Sequence, residues 1–319
     1  KEVGSIRRLE LLVVHTYADL VAVGPGVATD WKLNLIEDLY KRTRRYFDSG
    51  NLPGSPDDPE MEKTRLRVRE HLEDSQTSEH SLKLLEKLPL SLLARCQPDH
   101  LAEEIDLARQ ASNGHQGTFC TYRFDDRNKA MRYTVIRREG DRAIGTFARA
   151  TGALSTSGLT IMRAQIETID DIAWDYFWVI DPDQPDELIA GERSDKVWER
   201  VRHLLESPDE PLPAHRRTWT PSGQQEPDSV NVLPSKVVID NDTVDRYTIL
   251  SFFAYDDVGL LYEIAATLAE HQVVLHFAKI DTHLDQVADV FYVSEVDGSK
   301  LTDPARRDHI RDALLSITG

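Results

Sequence analysis

Apolar side chains recur at helical spacing through the first third of the chain and at alternating spacing through the rest. Over residues 6–22, Ile6, Leu9, Leu12, Val13, Tyr17 and Leu20 fall on more than one helical face, which predicts a buried helix. Gly24-Pro25-Gly26 breaks it. Thr29 is then placed to cap a second helix, with Asp30 in its first turn complementing the dipole. Trp31, Leu35, Ile36, Leu39, Tyr40 and Phe47 form that helix's apolar stripe, Gly50 closes it, and residues 51–59, rich in proline, read as a loop. Residues 60–112 are charged helix with a modest apolar stripe (Leu66, Val68, Leu72, Leu85, Leu92, Leu101 and Ile105 among it), a helical connector.

From residue 117 the period changes. Phe119, Tyr122 and Phe124 predict a strand, 125–128 a turn, and Tyr133 to Ile136 a second strand. A helix starts near Gly145, strands cover 160–168 and 174–180, and a helix runs over about 194–206. Residues 207–234, with Pro208, Pro211, Pro213, Pro221, Pro227 and Pro234, read as an exposed linker. The same order then returns: strand 236–239, strand 247–254, helix 259–271, a hairpin over 273–282 and 287–294, and helix 303–317.

The second half is a repeat. Gly145 to Leu154 aligns with Gly259 to Leu268; Ala164, Ile166 and Thr168 with Ala278, Ile280 and Thr282; Asp175 to Val179 with Asp289 to Val293. All share an offset of 114 residues, since 259 − 145 = 114. Two copies of one small domain follow. Without its leading strand, each copy reads strand-helix-strand-strand-helix, a ferredoxin-like plan lacking its fourth strand. The leading strand, joined to the next by a tight turn, is placed to fill that gap. The fold class is therefore α+β: an N-terminal all-helical segment followed by two ferredoxin-like domains of the βαββαβ type, circularly permuted. The expected divisions are 1–50, 51–116, 117–206, a linker 207–234, and 235–319.

With 38 basic and 55 acidic residues the net charge is −17, spread along the chain, which argues against a nucleic-acid binder. The basic run at Lys41, Arg42, Arg44 and Arg45 reads as a solvated helix face. Two cysteines, Cys96 and Cys120, far apart and without metal-ligand spacing, suit a reduced, cytoplasmic chain. No apolar run is long enough to span a bilayer, so no membrane partner is expected. The chain begins at Lys1 with a helical pattern already under way by Ile6, as a piece of a longer protein would.

The candidate chemistry sits where strand meets helix. In the second copy this reads Tyr255-Asp256-Asp257-Val258-Gly259-Leu260. Glycine at a helix start lets a small ligand approach the free backbone N–H groups, which favour a carboxylate. Asp256, three residues earlier, is placed to take an ammonium group, so the pair suits the two ends of a free amino acid. The alternative is that Gly259 serves a tight loop and Asp256 caps the helix. The first copy keeps Gly145 but has Arg142 opposite Asp256, with Asp141 one residue earlier. The second copy is thus the stronger ligand candidate. Trp174, Phe177, Trp178, Phe291 and Tyr292 alternate on strands as core or sheet-face residues, and Met131 and Met162 read as packing. His276 and His283 lack metal spacing.

The pattern resembles the ACT domain, an amino-acid-sensing module. Val238-Ile239-Asp240-Asn241, Tyr247-Thr248-Ile249-Leu250, Gly259-Leu260-Leu261-Tyr262, Ala278-Lys279-Ile280 and Asp289 to Val293 resemble one family closely: the bifunctional uridylyltransferase/uridylyl-removing enzyme of the nitrogen-regulatory protein PII. The family's aspartate-arginine-proline-glycine loop stands here as Asp256-Asp257-Val258-Gly259. Leu11 to Asp19, Val23 to Gly26, Trp31-Lys32 and Leu39-Tyr40 resemble the end of its HD hydrolase domain, whose last metal ligand is an aspartate on a late helix; Asp19 falls there. A carboxylate on a buried helix needs a charge partner, which a divalent metal supplies; the alternative is that Asp19 pairs with an arginine or caps a turn.

None of the eleven histidines precedes an aspartate, and no Gly-Ser is followed by paired aspartates on a strand. The family's two catalytic sites would then lie upstream of Lys1. The resemblance implies a glutamine-sensing regulatory region, with PII as partner, UTP as substrate and Mg2+ or Mn2+ as cofactor of the full enzyme, and this chain inactive alone. The implied ligand residues are Asp256, Gly259, Leu260, Asp141 and Gly145. A free-standing ACT-repeat regulator of a partner protein is the alternative; a domain of a stringent-response synthetase/hydrolase is a third, which ACT copies following directly on an HD-like tail argue against.

Overall fold

The computed structural model describes residues 3–23, 30–49, 59–74, 79–93, 96–112, 117–126, 128–138, 144–184, 188–213, 235–255, 259–283 and 286–318. The chain divides into two compact units, Lys1–Arg109 and Gln110–Gly319.

The first unit is helical. α1 (Ile6–Val23) packs along α2 (Asp30–Ser49), and α3 (Pro59–Asp74) packs on α4 (Glu79–Lys87) and on the single turn α5 (Leu90–Leu93), with most of α6 (Pro98–Ser112) following. Val68, Leu72, Leu85, Leu101 and Ile105 are fully buried, so the connector carries a real apolar stripe, though Leu66 falls outside it. The expected burial of α1 is met only in part, with Ile6, Val13 and Leu20 half-buried. Leu9 is buried, but Leu11, Leu12, Val14, Tyr17 and Val21 are each at least half exposed, because the helix rests against α2 along one flank. Leu39 on α2 is likewise exposed. Thr29 and the apolar residues Trp31 and Leu35 lie outside the described side chains. Of the basic run on α2, Lys41 and Arg44 are exposed as expected, with Lys41 paired to Glu37 at 2.7 Å and the Arg44 guanidinium donating to the Tyr40 hydroxyl; the side chains of Arg42 and Arg45 lie outside the described set.

The second unit is built on one antiparallel sheet of eight strands, in the order β1-β2-β4-β3-β7-β8-β6-β5. The first repeat supplies β1 (Thr118–Asp125), β2 (Ala130–Arg138), α7 (Thr146–Thr156), β3 (Thr160–Ile169), β4 (Ile172–Ile180) and α8 (Gly191–Glu206). The second supplies β5 (Lys236–Asp240), β6 (Thr248–Tyr255), α9 (Leu260–Glu270), β7 (Val274–His283), β8 (Gln286–Ser294) and α10 (Pro304–Leu315). In each, the leading strand lies antiparallel beside the next one, in the place of the missing fourth strand. The permuted ferredoxin-like plan is therefore what the chain adopts, twice.

The copies join edge to edge through β3 and β7. Ala164 pairs with Ile280, Gln165 with Lys279, and Ile166 with Ala278. Each of these six residues is the repeat mate of another in the set, so the join is a local two-fold passing between Gln165 and Lys279. α7 packs on α9 and on α8. Phe147, Leu154, Phe177 and Val201 of the first copy and Phe252, Leu261, Ile264, Phe291 and Ile310 of the second belong to one continuous core. β4 is buried at every position up to Val179. On the side chains that alternate away from Phe177, arginines supply part of the cover: the Arg132 guanidinium stands over Tyr176 and that of Arg163 over Trp178, at 5.3 and 5.4 Å from the ring centroids. Trp178 Nε1 donates to Asp125 at 2.7 Å. Among the described residues no helix is long and apolar enough to cross a membrane.

Candidate functional site

Both repeat helices start on a glycine in the left-handed region, Gly145 at φ 83° and Gly259 at φ 86°. A side chain there is strained, and glycine offers no oxygen to cap the helix from that position. The first turn of each helix carries the positive end of the helix dipole. The approach to the two starts differs. Val135 and Phe252 occupy equivalent places, each paired with an equivalent aspartate, Asp175 or Asp289. They are 252 − 135 = 117 apart, so the loop before α7 is 117 − 114 = 3 residues longer than the loop before α9. The constant repeat offset thus fails in the strand that leads into each helix.

At the start of α7 the described residues form a cavity of about 420 Å³. The first copy gives Arg137, Ile144, Gly145, Thr146, Arg149 and Leu205 to its wall. The second copy gives the last turn of α9, Ala269 and Glu270, and Gln272 beyond it. Pro208, Asp209 and Leu212 close another side. A much smaller void of about 20 Å³ shares Gly145, Thr146 and Ala269 and is also lined by the buried Asp175. Two guanidinium groups and a helix N-terminus favour an anionic group in the larger cavity. Glu270 and Asp209 supply negative charge for a cationic one. The wall thus carries partners for both ends of a zwitterion.

The segment 207–213 crosses this site. Arg149 Nη2 donates to the carbonyls of Pro208 at 2.5 Å and Glu210 at 2.7 Å, and the Tyr262 hydroxyl donates to the carbonyl of Pro213 at 2.6 Å. Leu212 packs against the core. Gly152 on α7 makes the approach possible: a Cβ there would stand 2.7 Å from both Pro213 Cγ and Tyr262 Cε2. Burial, reinforced by Glu270, raises the Tyr262 phenol above its ordinary range while Arg149 pulls it back, so it is a proton donor at neutral pH. The exposed linker expected from the prolines is thus, in its first seven residues, a strap held against two helices; residues 214–234 lie outside the described set.

Of the residues named from sequence, Gly145 lines the cavity. Gly259 precedes α9 and Leu260 is buried as its first residue. Asp256 and Asp141 lie outside the described residues, as does Arg142. Asp19 is exposed on α1, so its expected burial, and with it the need for a charge partner, does not hold. Among the described residues no group of three metal-ligating side chains exists, and by themselves they do not fit a metal around Asp19. Arg137, Arg149 and Glu270 were not singled out. A signal for one existed: Arg149 aligns with Glu263, a reversal of charge within an otherwise similar helix. His276 accepts or donates at Ser294 Oγ, 2.8 Å away, and stacks on Tyr247.

No protein-family model matches the chain. Curated proteins do. Relatives from Azospirillum brasilense, Erythrobacter litoralis and Rhodospirillum rubrum are 28%, 31% and 27% identical to it, each over 98% of its length. The chain is homologous to bifunctional uridylyltransferase/uridylyl-removing enzymes. It spans 33% of the length of these relatives. Among solved structures, aspartate kinase from Synechocystis aligns with 67% of this chain and 31% of its own at 13% identity and a TM-score of 0.29, too slight a likeness to bear on the argument.

Proposed function

We propose that this chain is the amino-acid-sensing regulatory region of a uridylyltransferase/uridylyl-removing enzyme, with glutamine as the signal. The observation that carries the reading is the cavity at Gly145, walled by both repeats and offering opposite charges to the two ends of an amino acid. In the protein as a whole, UTP would donate the uridylyl group to PII, and a Mg2+- or Mn2+-dependent site would remove it. Asp19 would supply at most one carboxylate to that metal. Ligand binding biases these activities only if it favours one domain arrangement over another.

Isothermal titration of the 319-residue chain with glutamine, glutamate, asparagine and leucine tests the reading. Saturable binding of glutamine is expected, abolished or much weakened in Arg149→Gln. A chain that binds none of the four amino acids contradicts it. If glutamine binding survives Arg149→Gln and is lost in Asp256→Ala, the sensing site is instead the one at the second copy's helix start.

A further inference from the structure

We propose that residues 207–213 are a strap that reports occupancy of the cavity, and that Arg149 is the ligand-binding residue that couples the two. This rests on reading the cavity as a site for an amino-acid carboxylate. Three observations carry it. Pro208, Asp209 and Leu212 are cavity wall, so a molecule inside meets the strap directly. Arg149 lines the same cavity while its Nη2 holds two strap carbonyls. Its other terminal nitrogen, Nη1, is buried without a hydrogen-bond partner among the described atoms. A buried, unmet guanidinium N–H is costly, and a carboxylate is the acceptor that suits it best. With ligand bound, one rigid planar group bridges carboxylate and strap, so that each fixes the position the other needs.

The grip is confined to one half of the pseudo-symmetric pair. The repeat mates of Arg149, Gly152 and Tyr262 are Glu263, Ala266 and Ala148, which can reproduce neither the guanidinium clamp nor the phenol bond. The strap also continues directly from α8 of the first copy along the chain towards the second. Occupancy is therefore read by a segment connecting the two repeats. Tyr262 provides the discriminating variant. It pins the strap at Pro213 but is not part of the cavity wall.

The experiment combines calorimetry with hydrogen exchange of the strap amides of Ser207, Asp209, Glu210 and Leu212, using glutamine as the probe. In the native chain glutamine should slow their exchange. In Tyr262→Phe the strap should exchange faster without ligand, and glutamine affinity should fall roughly two- to tenfold, the equivalent of one hydrogen bond, although no cavity-lining group has changed. Arg149→Lys, which keeps the charge but not the planar fork, should weaken both binding and strap protection. Glutamine binding with unchanged strap exchange and unchanged affinity in Tyr262→Phe overturns the strap while leaving amino-acid sensing intact. A native chain that binds no amino acid overturns both.

Discussion

Replacing Gly152 by alanine sets two effects of opposite sign against each other. In the interior of α7 the change should help, since alanine is better than glycine in a helix by about 1 kcal/mol. Against it stands the close approach of α9 and the strap. The new Cβ would lie 2.7 Å from Tyr262 Cε2, 3.0 Å from Tyr262 Cδ2 and 2.7 Å from Pro213 Cγ. Ordinary carbon contacts sit near 3.5–4.0 Å, so ring and strap must each retreat by roughly 1 Å. The ring cannot swing freely, because Tyr262 is buried and its hydroxyl is tied to Pro213. Overpacking of this kind costs about 1–3 kcal/mol. The net expectation is a loss of about 1 kcal/mol, or a fall in Tm of roughly 2–4 °C for a unit of this size. Urea and thermal denaturation of Gly152→Ala, Tyr262→Ala and the double variant measure it. In the Tyr262→Ala background the same Gly152→Ala change should be neutral or stabilising, giving a coupling of at least about 1 kcal/mol. A Gly152→Ala chain that melts higher than the parent would show that helix propensity wins and that the α7–α9–strap contact is not tight.

Thr248 is fully buried; its hydroxyl donates to Asn241 Oδ1 and accepts from the Leu301 N–H. Thr248→Val keeps the shape but strands both partners, and should cost about 1–3 kcal/mol in urea denaturation; a loss below about 0.5 kcal/mol would contradict the pairing. Gly145→Ala meets little steric resistance, with Ala269 Cβ at 3.8 Å, but forces alanine to φ 83°; it should cost about 1–2 kcal/mol from backbone strain, and an unchanged melting curve would refute that. Burial, then the neighbouring Arg246, lowers the pKa of His276 below its usual 6.5. The unfolded chain then takes up that proton first, so stability should fall as pH drops below about 6.5 and level off once the folded form is protonated. Comparison of Tm from pH 7.5 to 5 with His276→Gln isolates this contribution, and equal slopes in the two chains would exclude it.

The local devices were readable without coordinates. The switch from helical to alternating period, the shared offset and the tight turns named every strand and helix of the repeats, because those signals depend on neighbours a few residues apart. The glycines before α7 and α9 were legible for the same reason: a left-handed residue at a helix start has few alternatives to glycine. Asp175 and Asp289 are another matter. Their equivalence was visible, but only strand pairing showed that the strands opposite them are offset by 117 rather than 114. Register across a sheet is set by contacts between distant segments, and periodicity within one segment does not report it.

What the sequence determined by itself was the repeated permuted plan and its two glycine-started helices, both products of short-range stereochemistry. The tertiary structure decided the rest. It joined the copies about a local two-fold at Gln165 and Lys279, set α7 against α9, and brought Arg149 of one repeat, Glu270 of the other and the strap at Pro208 around one cavity. It also left Leu12 and Tyr17 of α1 exposed, where their pattern predicted burial. Each of these outcomes depends on which surfaces meet, and an apolar pattern says that a face seeks a partner without saying which partner it finds.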